Sequence, residues 1–203
     1  MGPAYRIVTP RLVIRCWDPG DAARLKEAID SSLDHLRPWL QWAAQEPESL
    51  EKKLERMRQW RGEFDLGIQF VYGVFDRAET RVRGGAGLHR RIGPDALEIG
   101  YWVRAESAGQ GLATEVAGAL TRVAIEIEEV SRVEIHMVVA NVRSAAVPRK
   151  LGYVHEATVR RPLPDGGPLQ ETMIWTMFAD RFAGSPAAQM SLEAYGFGGE
   201  KLL

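Results

Sequence analysis

Leu97–Glu115 reads LEIGYWVRAESAGQGLATE. Leu97, Ile99, Tyr101 and Val103 recur with period two, which predicts a buried strand. Leu112, Val116, Leu120, Val123 and Ile127 recur at helical spacing, so a helix of at least four turns is expected to begin near Gly111. Between them, Gly109 and Gly111 open the helix. A glycine turn at a helix start gathers unpaired backbone N–H groups where the helix dipole also favours an anion. This predicts a phosphate cradle. The dinucleotide fingerprint would need a third glycine where Thr114 stands, and the Gly-Lys-Ser/Thr of a P-loop is absent, so neither familiar motif accounts for it. The plainer alternative is a glycine turn and nothing more.

Outward from this stretch, the chain is long enough for one domain with a substantial core. Twenty-six basic against 27 acidic residues give a formal charge of -1, so no global field recruits nucleic acid. The single cysteine, Cys16, excludes an internal disulfide, and four scattered histidines lack ligand spacing, so no metal is expected. Without a signal peptide or a long apolar span, the expectation is a cytoplasmic protein with no membrane partner.

Upstream, residues 6–17 read as a first strand, followed by a turn at Asp18–Asp21 and a helix with Ala22, Leu25, Ile29 and Leu33 on its apolar face. In His35-Leu36-Arg37-Pro38-Trp39-Leu40-Gln41-Trp42, Pro38 breaks the helix and two tryptophans follow at a spacing of three. Either they pack a helix junction, or one lines a substrate groove and stacks on its ligand. Residues 47–64 form an amphipathic helix with Leu50, Leu54, Met57 and Trp60 inward and its charges solvated. Residues 67–75 and 82–89 are strands, the second carrying Gly84, Gly85 and Gly87, which suggests a bulge or close backbone approach. Arg81, Arg83, Arg90 and Arg91 form a local basic patch with no interleaved aromatic residues, and are read as solvated surface.

Downstream, residues 132–139 are a strand. A strand–helix–strand unit makes segments 97–104 and 132–139 parallel neighbours in an otherwise largely antiparallel sheet. Residues 141–151 form a short helix capped by Ser144 and stopped by Gly152; Pro148 within it should leave the Ser144 carbonyl free or solvated. Two more strands, 153–161 and 170–178, flank the loop 162–168. The tail, 179–203, is a short helix, a subunit contact or a loose end. The fold class is therefore α+β, a mixed, mostly antiparallel sheet of about seven strands with helices on both faces.

In this order, Ile99-Gly100-Tyr101-Trp102 before Gly109-Gln110-Gly111-Leu112-Ala113, then Asn141-Val142-Arg143-Ser144, then Lys150-Leu151-Gly152-Tyr153, the sequence resembles the GCN5-related N-acetyltransferase superfamily. The early His35-Leu36-Arg37-Pro38-Trp39-Leu40 with Trp42 is similar to the branch that acetylates ribosomal-protein N-termini. The resemblance runs from about Thr9 to Phe178 and implies a single acyl-CoA N-acyltransferase domain over 1–178. It implies acetyl-CoA as co-substrate, held by Trp102, Val103 and Arg104, by Gly109, Gln110, Gly111, Leu112, Ala113 and Thr114, and by Asn141, Arg143, Ser144, Arg149 and Lys150. The first position of the family's pyrophosphate loop, normally Gln or Arg, is Ala108 here, which puts loop ordering or phosphate affinity in question.

The implied chemistry is attack of an amine on a thioester, needing a neutral amine, a stabilised oxyanion and a reprotonated thiolate. The backbone of Trp102–Val103 is the candidate oxyanion donor. Glu98 is the candidate base, with a pKa expected to rise in a partly enclosed cleft, or else a surface glutamate; His136 is the weaker alternative. Many relatives place a tyrosine acid on the helix after the Asn, but residues 145–151 have none. Ser144 is the substitute, or only a cap, and Asn141 organises water or the pantetheine amide. His35, Arg37, Trp39 and Trp42 are the candidate acceptor contacts. The acceptor is a protein or peptide N-terminal amine or a small-molecule amine, on a monomer or homodimer. The rival is a non-catalytic acetyl-CoA-binding or interaction protein.

Overall fold

The computed structural model describes residues 3–162 and 169–203. In chain order these form β1 (Arg6–Val8), β2 (Leu12–Cys16), α1 (Ala22–Asp30), α2 (Leu33–Leu36), α3 (Leu50–Asp65), β3 (Gln69–Asp76), β4 (Val82–His89) and β5 (Ala96–Val103). There follow α4 (Leu112–Glu126), β6 (Arg132–Val138), α5 (Val142–Leu151), β7 (Val154–Pro162), β8 (Leu169–Phe178), α6 (Ala179–Phe182) and β9 (Glu193–Tyr195). The loop expected at 162–168 lies, after Pro162, outside the described residues.

The strands join one sheet in the order β7-β8-β6-β5-β4-β3-β2-β1-β9. Every described pairing is antiparallel except β5 with β6. Nine strands replace the expected seven for two reasons. The segment at 6–17 folds back on itself as the β1–β2 hairpin, and the tail adds β9 to the edge of β1. The tail also packs under α4, where Met190 fits against Gly118 and its carbonyl accepts from Arg122. It is neither loose nor a separate appendage.

One core lies between the sheet and α4 with α5, built on Leu97, Ile99, Val116, Leu120, Val123, Val133 and Ile135. A second lies on the opposite face under α1 and α3, around Trp17, Leu25, Met57 and Phe75. On α3, Met57 is buried with Leu54 and Trp60 packed beside it as expected, Lys53 and Phe64 are buried as well, and Leu50 is exposed. The sequence pattern misses Lys53 because its ammonium is buried in an ion-pair cluster with Glu46 and Glu48, so a charged residue occupies a core position. Gly85 and Gly87 leave room for the Trp102 and His89 rings lying over the sheet, and the β3–β4 register shifts beside Gly84.

The feature that positions the site is the parting of β5 from β6. They pair only at Ala96–Arg132, Leu97–Val133 and Glu98–Glu134. Beyond that, β5 stays with β4 through Val103 and β6 with β8 through Val138. Each strand is held by its outer neighbour, and a wedge opens between them.

Candidate active site

At the wide end of the wedge, β5 runs through a short helical turn into the Gly109–Gly111 loop and α4. Gly109 and Gly111 adopt φ of 76° and 78°, a left-handed backbone that L side chains strain to reach. This turn folds the N–H groups of residues 109–114 together, and among the described residues they donate to no protein acceptor. The loop is braced from behind by the β1–β2 turn. Arg11 donates to the Gln110 carbonyl (2.8 Å) and to the buried Glu115 carboxylate (2.6 Å), which also accepts from Thr9. A long-range arginine thus braces the loop that has alanine at position 108.

A cavity of about 720 Å3 joins this loop to α5 and to the α2 region. It brings together Trp102, Val103, Gly109, Gly111, Leu112, Ala113 and Thr114 with Asn141, Arg143, Ser144 and Lys150, and with His35 and Trp39. Arg104 donates its N–H to the Arg83 carbonyl on the β4 side, so strand alternation turns the Val103 N–H towards the wedge. Of the expected Trp102–Val103 pair, it is the Val103 N–H that faces the wedge.

Other expected residues lie outside this cavity. The Arg104 guanidinium, buried, forks onto Glu27 of α1. Arg149 stacks over the Trp175 ring at 5.7 Å. Arg37 donates to the Glu46 carbonyl, and the Gln110 side chain folds back onto the Glu106 carbonyl. The tryptophans divide: Trp39 borders the cavity and is 40% exposed, while Trp42 packs edge-on to Trp102, their ring centres 6.1 Å apart. The packing reading thus applies to Trp42, while Trp39 is left at the cavity's edge. The four arginines of the basic patch are each paired with a carboxylate: Arg81 and Arg83 with Glu106, Arg90 with Glu128, Arg91 with Glu98.

At the narrow end of the wedge, on the face opposite α4, sit His89, Glu98, Glu134 and His136. Glu98 is buried and takes both hydrogen bonds of the Arg91 fork, one of them 2.8 Å. Burial acts to raise its pKa, but the Arg91 hydrogen bonds and charge outweigh it and hold the carboxyl below the usual range. The expected rise is thus reversed, because the sequence did not reveal that Arg91 folds onto its own strand. His136 bridges the cluster, with Nε2 2.7 Å from Glu134 and Nδ1 3.8 Å from Glu98. Burial, then the Arg91 charge, push the His89 imidazole down to about 4.

On α5 the cap is Asn141, not Ser144: its Oδ1 accepts from the Ser144 N–H at 3.1 Å. Ser144 therefore sits inside the first turn, with its hydroxyl free of capping. Nor is its carbonyl solvated. Pro148 has no N–H to offer it, and the Tyr101 hydroxyl donates instead, at 3.3 Å, while lying 2.9 Å from the Ser144 Oγ. Burial pushes the Tyr101 phenol up to about 12. Sequence reasoning placed Tyr101 in the strand pattern and in the Ile-Gly-Tyr-Trp motif but gave it no role, although its place three residues past the last β5–β6 pair marks it as facing the wedge region.

An N–H cradle beside a split parallel pair narrows the comparison with known proteins. The acetyltransferase (GNAT) domain family matches residues 11–154. The chain belongs to this family. It is an acetyl-CoA-dependent N-acetyltransferase acting on an amine. Over 181 residues it is 30% identical to a Bacillus subtilis (strain 168) protein named "Putative ribosomal N-acetyltransferase YdaF", covering 87% of this chain and 96% of that one. It is 25% identical to the Escherichia coli (strain K12) [ribosomal protein uS5]-alanine N-acetyltransferase, covering 76% and 80%. In fold it matches the Mycobacterium smegmatis RimJ structure in complex with CoA-disulfide, with a TM-score of 0.80 at 20% identity, covering 93% and 95%. The site fits acetyl-CoA on its own chemistry: an unbonded N–H array for the pyrophosphate and Arg143 with Lys150 at the rim for further phosphate charge. No helix among the described residues is long and apolar enough to cross a membrane.

Proposed function

We propose that this acetyltransferase modifies the N-terminal α-amine of a protein. One observation carries the reading. A single cavity runs from the 109–114 loop, past Val103 and Ser144, to His35 and Trp39, so donor and acceptor share one cleft. The names of the curated relatives, which act on or are assigned to ribosomal proteins, support a polypeptide acceptor.

In this reading the loop N–H groups hold pyrophosphate, and the Val103 N–H meets the developing oxyanion. His35 and Trp39 contact the first residues of the acceptor. The amine nitrogen bonds to the acetyl carbonyl carbon as the carbon–sulfur bond breaks, and Ser144 supplies a proton to the sulfur. The amine's own proton leaves through water towards Glu98 and His136 at the head of the wedge. Because Arg91 keeps Glu98 ionised, the carboxylate acts as a fixed negative charge and relay rather than a base tuned near neutrality.

The test is calorimetric titration of acetyl-CoA, followed by free-thiol release against a panel of peptides with Ala, Ser and other N-termini and of polyamines and aminonucleosides. Thiol release confined to peptides is expected. Release only with small amines would overturn the acceptor assignment, and saturable binding with no release on any amine would point to the non-catalytic rival.

A further inference from the structure

Ser144 by itself is a poor acid, since an alkyl hydroxyl holds its proton more tightly than a phenol. The structure gives it a partner. Tyr101 stands on β5 just past the last residue paired to β6, and its ring sits half-buried against the core under α4 while its hydroxyl crosses the wedge to α5. There it meets two acceptors on one residue, the Ser144 Oγ at 2.9 Å and the Ser144 carbonyl at 3.3 Å. The second is available only because Pro148, four residues on, cannot bond it. Tyr101 and Ser144 both border the cavity.

A phenol has one proton to give. When it donates to the carbonyl, the Ser144 hydroxyl donates to Tyr101 and its proton is tied up. When it swings to the Oγ, the serine proton is released to point into the cavity. Both acceptors belong to one residue, so the exchange needs rotation about a single C–O bond and no backbone movement.

Resting on the acetyl-transfer reading above, we propose that Tyr101 is a proton-relay residue that works through Ser144. As the carbon–sulfur bond breaks, its electron pair goes to sulfur, which takes the Ser144 proton; the Ser144 oxygen takes the Tyr101 proton in the same motion. Water in the wedge returns a proton to the Tyr101 oxygen. The amine has meanwhile released its proton, so the turnover yields the amide, the free thiol and one proton to solvent when the amine starts as its ammonium. Burial keeps the phenol protonated across the working pH range, so the relay is loaded at each turnover. A tyrosine reaching in from the strand thereby takes the place left empty on the helix at 145–151.

A purely structural role, filling the Ser144 carbonyl, makes different predictions. Tyr101→Phe keeps the ring and removes the relay. The relay predicts that kcat falls about tenfold to a hundredfold while the calorimetric Kd for acetyl-CoA stays within about twofold. The Tyr101→Phe, Ser144→Ala double variant should be no slower than the slower single variant, because the two act as a unit. Fluorotyrosines at position 101 keep the hydroxyl and the fold, and kcat should track their phenol acidity. Independently of turnover, the fluorine resonance of 3-fluorotyrosine at 101 should move when coenzyme A is added, and Ser144→Ala should abolish that response. A wild-type enzyme that is active on peptides while Tyr101→Phe keeps full kcat would overturn this inference alone, as would a kcat indifferent to fluorination or a resonance blind to coenzyme A. An inactive wild-type enzyme would instead sink the acetyl-transfer reading.

Discussion

Gly109 and Gly152 both have left-handed backbones, with φ of 76° and 84°, yet alanine at each should do opposite things. At Gly109 an added Cβ meets nothing within 4 Å, so the cost in the free protein is conformational only. Holding alanine in that region costs about 1–2 kcal/mol. The stiffer unfolded chain returns about 0.4–1 kcal/mol, leaving a net loss between about 0 and about 1.6 kcal/mol. At Gly152 the same Cβ would lie 2.9 Å from Pro186 and 3.3 Å from Ser185, so steric displacement of the tail adds to the strain. Gly152→Ala should therefore be the less stable variant, by about 1–3 kcal/mol relative to Gly109→Ala. Affinity should rank the other way. If the loop relaxes to relieve Gly109→Ala, the N–H array turns away from the pyrophosphate. Losing one hydrogen bond to a charged group costs about 1.5–3 kcal/mol, or tenfold and more in Kd. Gly152 ends α5 outside the cavity and should leave Kd nearly unchanged. Urea denaturation and calorimetric titration of acetyl-CoA on both variants decide it. If Gly109→Ala binds acetyl-CoA as the parent does, or if both variants lose stability and affinity in proportion, the cradle reasoning is wrong.

Two further outcomes follow from the cluster at the narrow end of the wedge. His89, ordinarily near 6.5 in an unfolded chain and about 4 here, favours the fold only while neutral. That stability is complete above about pH 6.5 and drains as pH falls towards 4, by about 2 kcal/mol at pH 5; denaturation of His89→Gln at pH 7 and pH 5 should show a flatter dependence, and an unchanged slope would refute it. Glu98→Gln should lower turnover about tenfold or more with acetyl-CoA binding intact. In the parent, the rising limb of kcat/KM should follow the pKa of the peptide amine, near 7.7–8.0, and should shift with it; a limb fixed in place when the peptide amine is changed would return Glu98 or His136 to the role of titrating base.

Local pattern made much of this molecule legible. Period-two and helical spacing placed β5, α4, β6 and α5 within a residue or two, because those periods are properties of short segments. The parallel crossover followed from their order. The motifs from Ile99 to Tyr153 carried the family and its co-substrate, since an N–H cradle is made by contiguous residues.

What the sequence left open is what distant residues do to one another. Glu98 looked like a carboxylate awaiting a proton; Arg91, folded back beside it, reverses the sign of its shift. Ser144 looked like a cap until Asn141 took that place and Tyr101, 43 residues earlier, reached its carbonyl and hydroxyl. Arg11 braces a loop 99 residues away, and the last strand of the sheet comes from a tail with only weak periodicity. Hydrophobic period fixes which way a side chain faces along its own element. Hydrogen bonds and ion pairs depend on which elements become neighbours and on how far each side chain reaches, and those are settled only when the sheet closes around its core.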